Sequence, residues 1–88
     1  MEQHDVIGID VSMGKSSCAI YHQTQCLYDF TFTHTITGFK TLLSRVNLVT
    51  NPVVYFESTG IYSRPIETFC KNNRLNYVEV NPLTLHFQ

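Results

Sequence analysis

The stretch Gly8-Ile9-Asp10-Val11-Ser12-Met13-Gly14-Lys15-Ser16-Ser17 decides how this chain is read. Its Gly-Lys-Ser invites comparison with a phosphate-binding loop, but that loop sets four residues between its first glycine and Gly-Lys-Ser/Thr. Here Ile9, Asp10, Val11, Ser12 and Met13 separate Gly8 from Gly14, one too many. The flanks disagree as well. A phosphate-binding loop leaves a strand and opens a helix, whose first N–H groups hold the anion. Gly8 instead lies inside the apolar run Val6–Val11, and the residues after Lys15 read as a second strand. The residue left to explain is Asp10, a carboxylate near the end of an apolar strand.

The wider chain fits one small α/β unit. Its 88 residues suffice for a single domain, and with 43% hydrophobic and 15% charged residues it is globular. No apolar run approaches the ~20 residues of a membrane span. Met1-Glu2-Gln3-His4-Asp5 lacks the basic start and apolar centre of a signal peptide, which predicts a cytoplasmic protein. The net charge is −1 and the six Lys and Arg are scattered. That argues against a stand-alone nucleic-acid binder built on a basic patch. Cys18, Cys26 and Cys70 have no metal-ligand spacing and read as reduced thiols; Cys18 and Cys26 are expected to face each other across a hairpin. His4, His22, His34 and His86 read as surface histidines, with no zinc site.

Periodicity gives the element order. Residues 5–11, 16–22 and 26–33 read as three strands joined by short turns, an antiparallel meander. In the third, Tyr28, Phe30 and Phe32 alternate with Asp29, Thr31 and Thr33. The period then changes: Phe39, Leu42, Leu43 and Val46 form one helical stripe, with Thr37 as the expected N-cap. Val53–Glu57 is a fourth strand. A second helix is expected to start near Ser63, delayed by Pro65 in its first turn and carrying Ile66, Phe69 and Cys70 inward. Asn76–Val80 is a fifth strand. Strands linked through helices are parallel and their crossovers right-handed. The order βββαβαβ therefore predicts a mixed five-stranded sheet, 3-2-1-4-5, the skeleton of a ribonuclease-H-like fold. Residues 1–88 then form one partial domain, truncated before the final helix.

In that layout Asp10 and Glu57 end neighbouring parallel strands, where ligands of open α/β sheets gather. Adjacent carboxylates repel unless a cation lies between them. A hard divalent ion, Mg²⁺ or Mn²⁺, suits oxygen ligands and the exchange of phosphodiesters. The bland alternative is that each acid merely caps a strand and is solvated.

Three stretches add a family resemblance: Ile7-Gly8-Ile9-Asp10-Val11-Ser12, Glu57-Ser58-Thr59-Gly60-Ile61-Tyr62, and Val80-Asn81-Pro82. In order and spacing the chain resembles the N-terminal part of the insertion-sequence-110 transposases, whose RuvC-like nuclease domain carries a DEDD acidic set. The resemblance implies that Asp10 and Glu57 are the first D and the E, catalytic and metal-binding. It also implies action on DNA with Mg²⁺, a guiding structured RNA, and a second domain with a serine nucleophile. The last two acids of the set would come after Asn81-Pro82 on a further helix, so these 88 residues alone are expected to be inactive.

Secondary candidates surround the two acids. Gly60 can let a phosphate approach the backbone, and Tyr62 can stack on a base or else pack on the helix. Thr59 lies just beyond Glu57, and Lys15 can contact phosphate from its turn or be solvated there. The first and fourth strands read as apolar on both faces, while both helices fall on one. The bare face is expected to pair with a second copy of the chain. Two other readings remain open at this level. One is a phosphotransferase fragment of the actin and sugar-kinase type, which also opens on an Ile-Gly-Ile-Asp strand. The other is a non-catalytic dimerising module.

Overall fold

The computed structural model describes residues 4–57 and 60–80. Its strands are β1 (Asp5–Ser12), β2 (Lys15–His22), β3 (Gln25–Thr33), β4 (Pro52–Glu57) and β5 (Asn76–Val80). Helix α1 (Ile36–Val46) joins β3 to β4, and a 3-10 turn at Gly60–Ser63 leads into α2 (Arg64–Asn72). The sheet order is β3-β2-β1-β4-β5, with β1–β2 and β2–β3 antiparallel and β1–β4 and β4–β5 parallel. Element order, strand pairing and sheet order agree with the sequence reading, and the strand ends fall within one residue of it.

Local chemistry explains the boundaries. Gly14 takes φ 78° in the β1–β2 turn, a left-handed conformation that costs glycine little. Lys15 and Ser16 then enter β2, so the Gly-Lys-Ser sequence opens a strand and not an anion-holding helix. Pro65 lies in the first turn of α2, where its missing N–H removes no helical bond.

Both helices press on one face of the sheet. Ile7, Ile9, Cys18, Ile20, Phe32, Val54 and Phe56 point from the strands into a core closed by Leu42, Val46, Ile66, Phe69 and Cys70. Phe39 of α1 stacks on Phe69 of α2 at 5.3 Å between centroids, and Phe56 stacks on Tyr77 of β5 at 5.8 Å. Gly38 is obligatory at the contact of α1 with β3, since a Cβ there would overlap the carbonyl oxygen of Thr33. The Cys18 and Cys70 thiols are free, and burial pushes each up to about 12, so both stay protonated and inert.

Three expectations are corrected. The cap of α1 is Thr35, whose Oγ1 accepts from Gly38 N at 3.1 Å, and not Thr37. Cys18 faces Phe30 across the hairpin while Cys26 faces Tyr21, because the chain turns between His22 and Gln25, which leaves Cys26 in the second pair and Cys18 well beyond it. Val6 and Tyr55 are exposed opposite the core, on the face that the one-sided placement of both helices leaves bare. His34 is no plain surface residue. Its Nε2 lies 2.8 Å from the buried Ser16 Oγ, and its ring stacks on Phe39.

Candidate active site

The strand register that buries Ile7, Ile9, Val54 and Phe56 also fixes where the acids go. Ile9 pairs with Phe56, and Asp10 and Glu57 are the next residue on each strand. Side chains alternate along a strand, so both carboxylates leave the helix-covered face and emerge on the open one, at its carboxyl end. Neighbouring strands lie ~4.8 Å apart, which sets the scale of their separation. No strand intervenes and the two do not point to opposite sides.

They share a shallow concavity of about 540 Å³. Gly8, Ser17 and Ala19 form its floor, small residues that keep it open. A Cβ on Gly8 would meet nothing closer than the Ala19 carbonyl oxygen at 3.9 Å. Tyr55 and Val80 flank the two acids. Among the described residues neither Asp10 nor Glu57 has a hydrogen-bond or ion-pair partner, and both are exposed. Two free carboxylates side by side are an oxygen donor set for a hard cation. Mg²⁺ is commonly held by one or two carboxylates, with water and substrate phosphate completing its shell. The residues present fit such an ion, although no group of three or more metal-ligating side chains converges among the described residues.

The other candidates distribute differently. Lys15 is exposed at the same end of the sheet but lines a separate cleft with Thr31, Thr33 and Thr37. Gly60 takes φ 67° at the start of the 3-10 turn, a conformation suited to glycine, and is exposed. Tyr62, in the same turn, is exposed and does not line the concavity. Thr59 lies outside the described residues. One residue was missed: Asp29 on β3, opposite Ala19, borders the same concavity. Alternation within β3 put Asp29 on the outer face. Placing it near Asp10 needs the cross-strand register, which the shift in the β2–β3 pairing hides from a residue count.

Comparison with known proteins bears on the fold and the family. No curated protein matches the chain in sequence. Among solved structures, T. thermophilus RuvC in complex with a Holliday junction substrate superposes with a TM-score of 0.59 at 11% identity. The match covers 94% of this chain and 68% of that one. At that identity it establishes the shared ribonuclease-H-like fold. Among the described residues no helix is long and apolar enough to cross a membrane. The family model for DEDD transposases of the IS110 type matches residues 7–87, a span that runs from the Ile-Gly-Ile-Asp strand through the Asn-Pro segment. The chain therefore belongs to the IS110 family of DEDD transposases.

Proposed function

We propose that this chain supplies Asp10 and Glu57 to a Mg²⁺ or Mn²⁺ site that serves DNA strand exchange. The observation that carries the reading is their emergence side by side, free of partners, on the open face of the sheet. The family match gives the reaction class, transposition. The structural neighbour was solved with a branched DNA, which supports DNA as the substrate here.

The chemistry assigned to the residues is modest and specific. The carboxylates hold the ion, and the ion, when bound, neutralises charge on the phosphodiester undergoing exchange. Gly8, Ser17 and Ala19 leave room for the sugar-phosphate chain. Lys15, Thr59, Gly60 and Tyr62 are assigned to contacts with the nucleic acid around it. Asp10 and Glu57 are assigned the first two places of the DEDD acidic set.

Titration calorimetry with Mn²⁺ tests the reading. The wild-type chain takes up Mn²⁺ with affinity that falls at least tenfold in Asp10→Asn and in Glu57→Gln, a loss of about 1.4 kcal/mol or more. Unchanged affinity in both variants would show that the acids are solvated strand ends.

A further inference from the structure

A second concavity, about 740 Å³, lies between α1 and α2, on the other side of the sheet from Asp10 and Glu57. Its floor is apolar: Phe39, Leu43, Pro65 and Phe69. Ile36 and Ile61 stand at its rim 78% and 63% exposed, which extends the apolar floor outward to solvent. The floor is also pre-set. Phe69 stacks on Phe39, Phe39 on His34, and His34 is held by Ser16, so the aromatic wall needs no rearrangement to receive a ligand.

Charge narrows the occupant. Lys40 and Arg64 line the groove, and no carboxylate does among the described residues. Neither cation forms an ion pair or hydrogen bond there. Glu67, the acid nearest in sequence, is committed elsewhere, to Lys71 at 3.4 Å and to the hydroxyl of Tyr77 on β5 at 3.2 Å. The chain as a whole carries a net charge of −1, so this pocket of unpaired positive charge is local.

We infer that the α1–α2 groove docks an amphipathic acidic helix of a protein partner, its apolar stripe on Phe39, Leu43 and Phe69 and its carboxylates on Lys40 and Arg64. A groove between two helices accepts a third through apolar anchors on one helical face. A second copy using the same groove would set Lys40 and Arg64 against like charges. Helix α1 carries no acid of its own, and residues 81–88 contain none. A nucleic acid would satisfy the cations, but it would leave Ile36, Ile61, Leu43 and Pro65 without apolar cover, and the floor is mostly aliphatic and aromatic carbon.

The test uses the whole chain and a fluorescein-labelled helical peptide of about 18 residues. The peptide carries leucines at i, i+3, i+4 and i+7 with glutamates flanking them, and a twin has lysines in place of the glutamates. Anisotropy is expected to show the glutamate peptide binding roughly tenfold tighter than its twin, a preference that salt erodes. The double variant Lys40→Glu/Arg64→Glu should reverse that preference, a result that misfolding cannot mimic. Ile36→Ser and Ile61→Ser should weaken the glutamate peptide with unchanged circular dichroism. The inference is overturned if the wild type binds neither peptide, or if it binds both equally. It is also overturned if single-stranded oligothymidylate displaces the glutamate peptide and loses its own binding in Lys40→Glu/Arg64→Glu, which would give the groove to nucleic acid.

Discussion

Strand β1 carries one aspartate at each end, and the two live in opposite worlds. Asp5 lies on the helix-covered face, its side chain 6% exposed, with Oδ1 accepting from His22 Nδ1 at 2.6 Å and Oδ2 from the Thr50 N–H at 2.9 Å. The Asp5 N–H in turn donates to the Thr50 carbonyl. Asp5 thus pins the start of β1 to the end of β2 and to the loop entering β4. Asp10 lies on the open face with no partner among the described residues. One side chain is consumed by the fold and the other is left over. A charge that the fold does not use, held where the sheet opens, is the better candidate for chemistry.

The sharpest way to break this contrast uses glycines, one beside each face. Gly38→Ala drives a Cβ into the backbone of Thr33, where nothing flexible can yield. The expected cost is about 3 kcal/mol or more, or loss of soluble protein. Gly8→Ala, in the floor of the open concavity, meets only ordinary contact. Its stability should stay within about 1 kcal/mol of wild type, while its added methyl narrows the space beside Asp10. Urea denaturation compares them directly. Equal losses would mean the open face is packed as tightly as the covered one.

The aspartates themselves come next. Asp5→Ala removes the bonds of a buried carboxylate to the Thr50 N–H and the His22 imidazole, which should cost about 2–3 kcal/mol. Asp10→Ala and Glu57→Ala should each stay within about 0.5 kcal/mol of wild type, because neither acid bonds to anything described. If Asp10→Ala destabilises as much as Asp5→Ala, Asp10 is a structural residue and the proposed metal site loses its first ligand.

What the sequence disclosed and what it hid divides along similar lines. The βββαβαβ order, the 3-2-1-4-5 sheet and the placing of Asp10 beside Glu57 come from local period and from the handedness of crossovers, both carried by contiguous residues. The stripe Phe39, Leu42, Leu43 and Val46 likewise faces the core. The cap of α1 was missed because Thr35 and Thr37 are chemically equal candidates on either side of Ile36. What separates them is that Ile36 is already helical and 78% exposed, so its apolar character says nothing of burial. The roles of Asp5, His22 and His34 were invisible for a different reason. Their partners are Thr50, Asp5 and Ser16, far along the chain, and only the assembled sheet brings them together. The β2–β3 register shift concealed the approach of Asp29 to the candidate site.

The smallest effect, and the finest probe of the two environments, is the response to acid. The Thr50 N–H bond first, then the His22 bond, hold the Asp5 carboxyl below its ordinary value of 3.8 against the opposing pull of burial. Burial lowers His34 from its ordinary 6.5, since the charged ring is disfavoured beside Phe32 and Phe39. Both groups thus bind protons more weakly folded than unfolded, so each contributes stability that is complete above its unfolded pKa and fades as pH falls through the lower folded one. The windows are separate: His34 acts below about 6.5, and Asp5 only below about 3.8. Unfolding free energies measured from pH 7.5 downward should therefore fall in two stages in the wild type. Subtracting His34→Gln should isolate the upper stage and subtracting Asp5→Asn the lower, each well short of the loss in Asp5→Ala at neutral pH. A lower stage that survives intact in Asp5→Asn would mean that the Thr50 and His22 bonds do not hold the Asp5 carboxyl as described, and the contrast between the two ends of β1 would fail.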